Sequence, residues 1–215
     1  IEPLILRRTK EQVAKDLPPL TEQIIYCDMS DAQQEVYEKE KSMIRNSIIE
    51  SIEQVGVEKS SISILTGLMR LRQIANHPAL LDEYSELDSG KFDEVTRSIE
   101  NIIAEKHKIL VFSSFVKHLE QVQVYLKQEG IGHEMLTGET VNRGKIIEEF
   151  QSNPDKQVFL ISLKAGGVGL NLTAADYVFI LDPWWNPAAE MQATSRAHRI
   201  GQQKNVFVYR FISLN

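Results

Sequence analysis

The chain has a single cysteine, Cys27, so no internal disulfide framework can staple it, as expected of a protein kept in a reducing compartment. Its five histidines, His77, His107, His118, His133 and His198, are scattered without the spacing of metal ligands, and no metal site is expected. No apolar run reaches membrane-spanning length, and no signal-peptide pattern opens the chain. Basic charge is not in excess either. A formal net charge of −6 argues against whole-surface attraction to a polyanion and leaves room only for a local basic stripe. No internal repeat or low-complexity tract is visible, which excludes a solenoid. What is present, 42% hydrophobic and 25% charged positions over 215 residues, fits a soluble globular chain with one sizeable core, or a core plus an appendage. The chain opens on Ile1 and runs straight into Glu2-Pro3-Leu4-Ile5-Leu6-Arg7-Arg8, so it is expected to be a fragment of something longer.

From Val95 onward, strand-like and helix-like segments alternate. Residues 108–112, 157–161 and 177–181 are short, almost wholly apolar runs, as buried strands of a parallel sheet require. Between them Phe115, Leu119, Val122 and Leu126 repeat at helical spacing until Gly130. Ile146, Ile147 and Phe150 mark another helix, stopped at Asn153-Pro154, and residues 132–136 and 206–212 supply further strands. The series predicts a doubly wound, mainly parallel α/β domain with ligand sites at the carboxyl ends of its strands.

The first ninety residues read differently. A strand over 21–27 precedes Ser30-Asp31, which caps a long helix with the stripe Tyr37, Ile44, Ile48, Ile52 and Val55. A second helix is predicted from about Ser61 to Asn76, closed by His77-Pro78, with His77 expected to cap or pack. Residues 82–91 read as a polar linker. The expected division is a brace strand and helical protrusion over 1–90 and an α/β lobe over 91–215.

A phosphate-cradling loop is not found. Gly138 to Lys145 has five residues between its glycines where the P-loop has four, and Ile146 stands where a magnesium-binding hydroxyl is needed. Ser89-Gly90-Lys91 lacks the earlier glycine. Asp82-Glu83 lies in the linker, and Asp182 follows an apolar strand without an adjacent glutamate. A complete nucleotide site is therefore not expected here.

Three segments carry chemistry. Gln192-Ala193-Thr194-Ser195-Arg196-Ala197-His198-Arg199-Ile200-Gly201-Gln202 places two arginines three apart at a predicted helix end, on one face, where both reach a single polyanion. Taken alone, that pair also suits a solvated helix end stabilised by the helix dipole. Ser162-Leu163-Lys164-Ala165-Gly166-Gly167-Val168-Gly169-Leu170-Asn171-Leu172 sets glycines just after a strand, where free N–H groups face an anion or a packing turn forms. Asp182-Pro183-Trp184-Trp185-Asn186-Pro187 holds both tryptophans at the ligand edge, one expected to be exposed unless both are packing wedges.

In this order the segments resemble motifs VI and V and the Trp-Asn-Pro block of the Snf2/Swi2 family of double-stranded-DNA translocases, within the superfamily 2 nucleic-acid motors. Further blocks match: Lys108-Ile109-Leu110-Val111-Phe112-Ser113-Ser114-Phe115 resembles motif IV, and Leu136-Thr137-Gly138-Glu139-Thr140 the family's Asp-Gly-Ser/Thr segment. Leu4-Ile5-Leu6-Arg7-Arg8, Asp16-Leu17-Pro18-Pro19 and Leu71-Arg72-Gln73-Ile74-Ala75-Asn76-His77-Pro78 are similar to its linking blocks. Lys164 departs from the usual arginine of motif V, keeping charge without the fork geometry, and Ser195 departs from the glycine or aspartate of motif VI.

The resemblance spans nearly the whole chain and implies a RecA-like C-terminal lobe of a DNA-dependent ATPase, inactive without its first lobe. It implies Arg196, Arg199 and Gln192 as catalytic residues, with Arg199 the leading arginine finger, and Gly167 and Gly169 beside the arginines at ATP. It implies Ser113, Gly138, Thr140, Ser162, Lys164 and Trp185 on the DNA. ATP and Mg2+ would be held mainly by the first lobe. Partners would be double-stranded DNA, the N-terminal lobe of the same polypeptide and a DNA-bound protein substrate, with no membrane. The location would be intracellular, the nucleoid of a prokaryote being favoured over a nucleus. The alternative function is a stand-alone DNA- or protein-binding module. A Rossmann-type enzyme fits less well, because no strand is followed by its glycine fingerprint.

Overall fold

The computed structural model describes residues 16–165, 169–183 and 187–214. In chain order these form β1 (Leu20–Asp28), α1 (Asp31–Val55), α2 (Val57–Asn76), two short 3-10 turns (Pro78–Leu80 and Asp82–Tyr84), α3 (Gly90–Ala104), β2 (Ile109–Ser113), α4 (Val116–Gln128), β3 (His133–Leu136), α5 (Arg143–Ser152), β4 (Val158–Ser162), β5 (Tyr177–Ile180), α6 (Pro187–Ala197) and β6 (Val206–Leu214). The strands make one sheet in the order β1-β6-β5-β2-β4-β3, every pairing parallel. Parallel neighbours need crossovers, and the helices provide them on both faces.

The apolar runs explain the layering. β2 and β4 are buried at every position, and because side chains alternate across a strand, each run feeds two cores. Leu110, Phe112, Phe159 and Ile161 join Phe150 of α5 and Ala193 and Ala197 of α6 on one side. Ile109, Val111, Val158 and Leu160 join Val95 and Ile99 of α3 and Leu119, Val122 and Leu126 of α4 on the other. This is the doubly wound α/β architecture expected.

Near the amino terminus the structure is more specific than the sequence. β1 pairs along its whole length with β6, from Leu20↔Val206 to Asp28↔Leu214, so the first strand belongs to the sheet although 61 residues of hairpin and turns, 29–89, separate it from α3. α2 begins at Val57 rather than near Ser61, because Gly56, at φ +82°, adopts the left-handed backbone that ends α1 and starts α2 at once. Residues 82–91 are not a continuous polar linker. Asp82–Tyr84 is a 3-10 turn, and Ser89 caps α3 by accepting from the Phe92 N–H at 3.3 Å while donating to the Asn76 carbonyl at 2.9 Å. Lys91, in the first turn, is only 4% exposed. Polar residues satisfied inside the fold look like a linker in the sequence.

The α1–α2 hairpin is tied by polar contacts. Gln33 donates to the Ile74 carbonyl at 2.8 Å, Ser51 and Ser60 share a hydrogen bond at 2.9 Å, and Arg70 forks onto Glu40 at 2.7 and 2.9 Å. Tyr84 donates to the same carboxylate at 2.6 Å, and these donors hold the Glu40 carboxyl at about 2. Among the described residues no helix is long and apolar enough to cross a membrane.

Candidate functional site

Two of the parallel strands and one helix bring chemistry-bearing residues to one edge of the sheet. β4 delivers Ser162 and Lys164, β3 leads into Thr137, Gly138 and Thr140, and α4 contributes Val116, Glu120 and Gln123; together they line a cleft of about 560 Å³. Four expected contact residues, Gly138, Thr140, Ser162 and Lys164, thus meet in one place. Lys164 and Gly138 are exposed there, a cation beside a backbone with no side chain in the way. Thr140 has a different job from a free hydroxyl: its Oγ1 accepts from the Thr137 N–H at 2.8 Å and closes the turn. Arg143, which sequence reasoning passed over, donates to the Gly138 carbonyl at 3.2 Å and braces that turn from α5. Its signal was its place one turn after the glycine, hidden among ordinary surface charge. Two carboxylates, Glu120 and Glu139, also line the cleft, so its charge is mixed.

Ser113 is not in that cleft. At the end of β2 it is fully buried, and its hydroxyl accepts from the Phe115 N–H at 3.1 Å. Next to it Asp182, 3% exposed, accepts from the Ser114 N–H at 3.0 Å, from the Ser114 hydroxyl, and from Arg72 Nη2 at 3.3 Å. Burial pushes this carboxyl up, and the hydrogen bonds from Ser114 and Ser113 and the Arg72 charge oppose that. Its oxygens are thus taken up by donors of the fold, a guanidinium cation among them. Trp184, Trp185 and Asn186, beyond Pro183, lie outside the described residues, as do Gly166 and Gly167.

The arginine pair lies elsewhere, at the end of α6. Arg196, in its last turn, is 6% exposed, and burial, with Arg199 nearby, pulls its pKa down. Arg199 stands past the helix end at Ala197, so the two arginines do not share a helical face as the spacing suggested; Gly201, at φ +103°, turns the chain there instead. Its guanidinium is exposed and donates to the Gly169 carbonyl at 3.3 Å. Gln192 is exposed one turn before Arg196.

One loop connects the two places. The connection from β4 to β5 starts at Ser162 and Lys164 in the cleft, passes Gly169 under Arg199, and gives its Leu172 N–H to the Arg196 carbonyl at 3.0 Å. Gln202 locks the far end. Its side-chain amide donates to the carbonyls of Thr173, Ala175 and Ala197 at 3.2, 2.9 and 3.0 Å, tying loop to helix. A glutamine in a polar tail gave no hint of that threefold bond.

A six-stranded parallel sheet with helices on both faces, a strand-end cleft and an arginine pair joined by one loop make up a RecA-like lobe. Residues 90–201 match the helicase conserved C-terminal domain family, and residues 1–80 the SNF2-related domain. The C-terminal domain of a Sulfolobus solfataricus SWI2/SNF2 ATPase superposes with a TM-score of 0.73 at 32% identity, covering 91% of this chain and 80% of that one. That organism's SWI2/SNF2 ATPase core in complex with double-stranded DNA gives a TM-score of 0.77 at 36% identity, over 100% of this chain and 46% of that one. An uncharacterized ATP-dependent helicase of Mycoplasma pneumoniae is 40% identical over 215 residues, 99% of this chain and 20% of the relative. The chain belongs to the SWI2/SNF2 family, as its C-terminal RecA-like lobe. It spans about a fifth of the length of the Mycoplasma relative.

Proposed function

We propose that this chain is the second motor lobe of an intracellular ATP-dependent double-stranded-DNA translocase that remodels protein–DNA complexes, and that it is silent without a first lobe. The observation that carries the reading is the β4–β5 loop, which begins in the Ser162–Lys164 cleft and reaches the Arg199 guanidinium at Gly169. One end faces a site suited to a phosphate backbone, through Lys164, the open Gly138 backbone and the Thr137–Thr140 turn. The other faces two arginines suited to a phosphoryl group in transit.

In this reading Arg199 leaves the Gly169 carbonyl for the phosphoryl oxygens of ATP, and Arg196 supports it from its buried position. Gln192 orients the attacking water or a neighbouring phosphate. Bound ATP supplies the transferable phosphoryl group, and with Mg2+ it is held mainly by the first lobe; the oxygens of Asp182 are taken up by donors of the fold. When Arg199 lets go of Gly169, the carbonyl end of the β4–β5 loop loses its tie to the arginine, and lobe closure alters the hold on DNA, a population shift driven by differential affinity for the closed state. Trp185, outside the described residues, is proposed as a further DNA contact, with Ser113 supporting the same edge from within. The 1–90 and 91–215 division is kept as a functional one, brace strand and hairpin against lobe, although β1 pairs into the sheet of that lobe.

The test is ATP hydrolysis with and without duplex DNA, by this chain alone and joined to a SNF2-type first lobe. Silence alone and DNA-stimulated turnover when joined are expected. Turnover by the pure chain would overturn the half-site reading, and weak DNA binding indifferent to ATP in the joined protein would favour a simple docking module.

A further inference from the structure

Two residues with no part in the chemistry above tie the arginine-bearing helix to the first strand of the sheet. His198 stands between Arg196 and Arg199, just past the end of α6 at Ala197, and its Nε2 lies 2.9 Å from the Pro18 carbonyl, 180 residues away in sequence. A carbonyl only accepts, so the ring nitrogen is the donor. Its target is fixed: Pro18 and Pro19 have φ locked by their rings, and the Pro19 carbonyl accepts from the Val206 N–H at 3.0 Å, where the β1–β6 ladder begins. At the other end of α6, Glu190 in the first turn accepts from Arg210 Nε of β6 at 2.8 Å, and Arg210 Nη1 reaches Glu22 of β1 at 3.1 Å. The Arg210 and Glu190 side chains are 21% and 11% exposed, which sets this pair apart from the freely screened pairs of the surface. Each end of α6 is thus referred to β1, one directly and one through Arg210.

Ala193 and Ala197 hold α6 to the sheet by apolar contact, which is non-directional and leaves sliding along the face to be stopped by directional bonds. The bonds from Leu172 and Gln202 join the helix end to the β4–β5 loop; the ties through His198 and Arg210 join it to the sheet edge. Anchors at opposite ends of an 11-residue helix set both its axial position and its tilt, where one alone would leave a pivot. Pro18 and Glu22 fall within the match to the SNF2-related domain and α6 within the match to the helicase C-terminal domain, so the ties cross from one to the other. We propose that His198 and Arg210 are positioning residues for the arginine pair, and that β1 is the element against which they place it. A site held loosely by its supporting residues loses function while its own residues stay in place. The proposal rests on the phosphoryl-transfer role given to Arg199, and the test separates the two.

Amide hydrogen exchange of the chain and of His198→Leu reads the placement without any partner. Loss of the donor is expected to speed exchange about tenfold over residues 192–201, a helix end and turn of low local stability, and to leave β2 and β4 as slow as before. Unchanged exchange over 192–201 overturns the proposal. In the protein joined to its first lobe, His198→Leu is expected to lower DNA-stimulated kcat about tenfold, within the range that a small misplacement costs, with KM for ATP and DNA affinity changed less than about twofold. His198→Gln, whose side-chain N–H can replace the imidazole donor, recovers about half of that loss or more. The same change is then made in Arg199→Ala: a residue that acts through Arg199 has little left to lose there, and His198→Leu should cost less than about twofold. A tenfold loss in both backgrounds makes His198 a merely structural residue and sinks the proposal. Should His198→Leu fail to unfold cooperatively, Arg210→Gln, which cuts the other anchor, replaces it in the same exchange and turnover comparisons, and the same outcomes decide. If the joined wild-type protein shows no DNA-stimulated hydrolysis, the motor reading fails, and exchange over 192–201 still decides whether β1 holds the arginine segment in place.

Discussion

Every residue of β2 and β4 is buried, whereas along the 25 residues of α1 only Gln33 and Glu40 are, both polar. The sheet region is held by apolar contact between two helical layers. The hairpin leaves Met43, Val57, Ile62 and Leu65 exposed and relies on directional contacts such as Glu40 with Arg70 and Gln33 with the Ile74 carbonyl. Area-driven burial gives a stable platform; a few polar ties give an element that holds one orientation yet opens at low local cost. A platform suits sites that must stay in register. An element of low local stability suits a support that works against it.

The difference is broken most sharply from the core side. Phe159, fully buried and 4.9 Å from Phe150 between ring centroids, should cost about 3–5 kcal/mol when replaced by alanine. Urea unfolding measures this; a loss below about 1 kcal/mol would show that the sheet is not held by its apolar layers.

The seam between the two regions should respond to acid. Burial holds His118 at about 3 and His77 at about 4, against an ordinary 6.5, and neither His118 nitrogen has a hydrogen-bond partner among the described residues. Below pH 6.5 the unfolded chain takes up protons at these rings and the folded chain does not. The stability present above pH 6.5 is therefore lost as pH falls towards 4, by about 3 kcal/mol per histidine. His118→Leu should flatten the slope measured by unfolding at pH 7, 5.5 and 4.5. An unchanged slope would place the acid response elsewhere.

Smaller effects sharpen the hairpin side. At Gly67 an added Cβ would overlap Ile44 Cγ2, so Gly67→Ala should spread α1 from α2 at about 1–3 kcal/mol, partly offset by better helix propensity. Hydrogen exchange should speed up over residues 31–76 and stay slow in β2 and β4; uniform acceleration would mean that hairpin and sheet unfold as one. Ile62→Ala, at a position 78% exposed, should change stability by less than about 0.5 kcal/mol.

The same contrast sets what the sequence revealed. Apolar runs such as Val158–Ser162 announce themselves, because a strand buried on both faces has nothing else to be. The strand-end cleft was legible for a related reason: parallel strands send Ser162 and Gly138 to one edge whatever the details. Pairings between distant polar residues left no periodic trace. Nothing local in Arg72 points to Asp182, 110 residues away, and Lys91 reads as linker charge until Asn76 and the Leu181 carbonyl are seen around it. Arg199 was recognisable by its order among other motifs, but not its position past the helix end, because Ala197-His198-Arg199 carries no helix-stopping residue before Gly201.

The central claim is that Arg199 serves phosphoryl transfer through a loop shared with the DNA-facing cleft. It is tested most directly by DNA-stimulated kcat of Arg199→Ala in the protein joined to its first lobe, with DNA affinity and unfolding measured in parallel. A fall of about 10³-fold or more is expected, the scale of an arginine finger, with affinity and stability nearly unchanged because the residue is exposed and its hydrogen bond to the Gly169 carbonyl is at the surface. Near-normal turnover, or a loss of turnover no larger than the loss of DNA affinity, would contradict it.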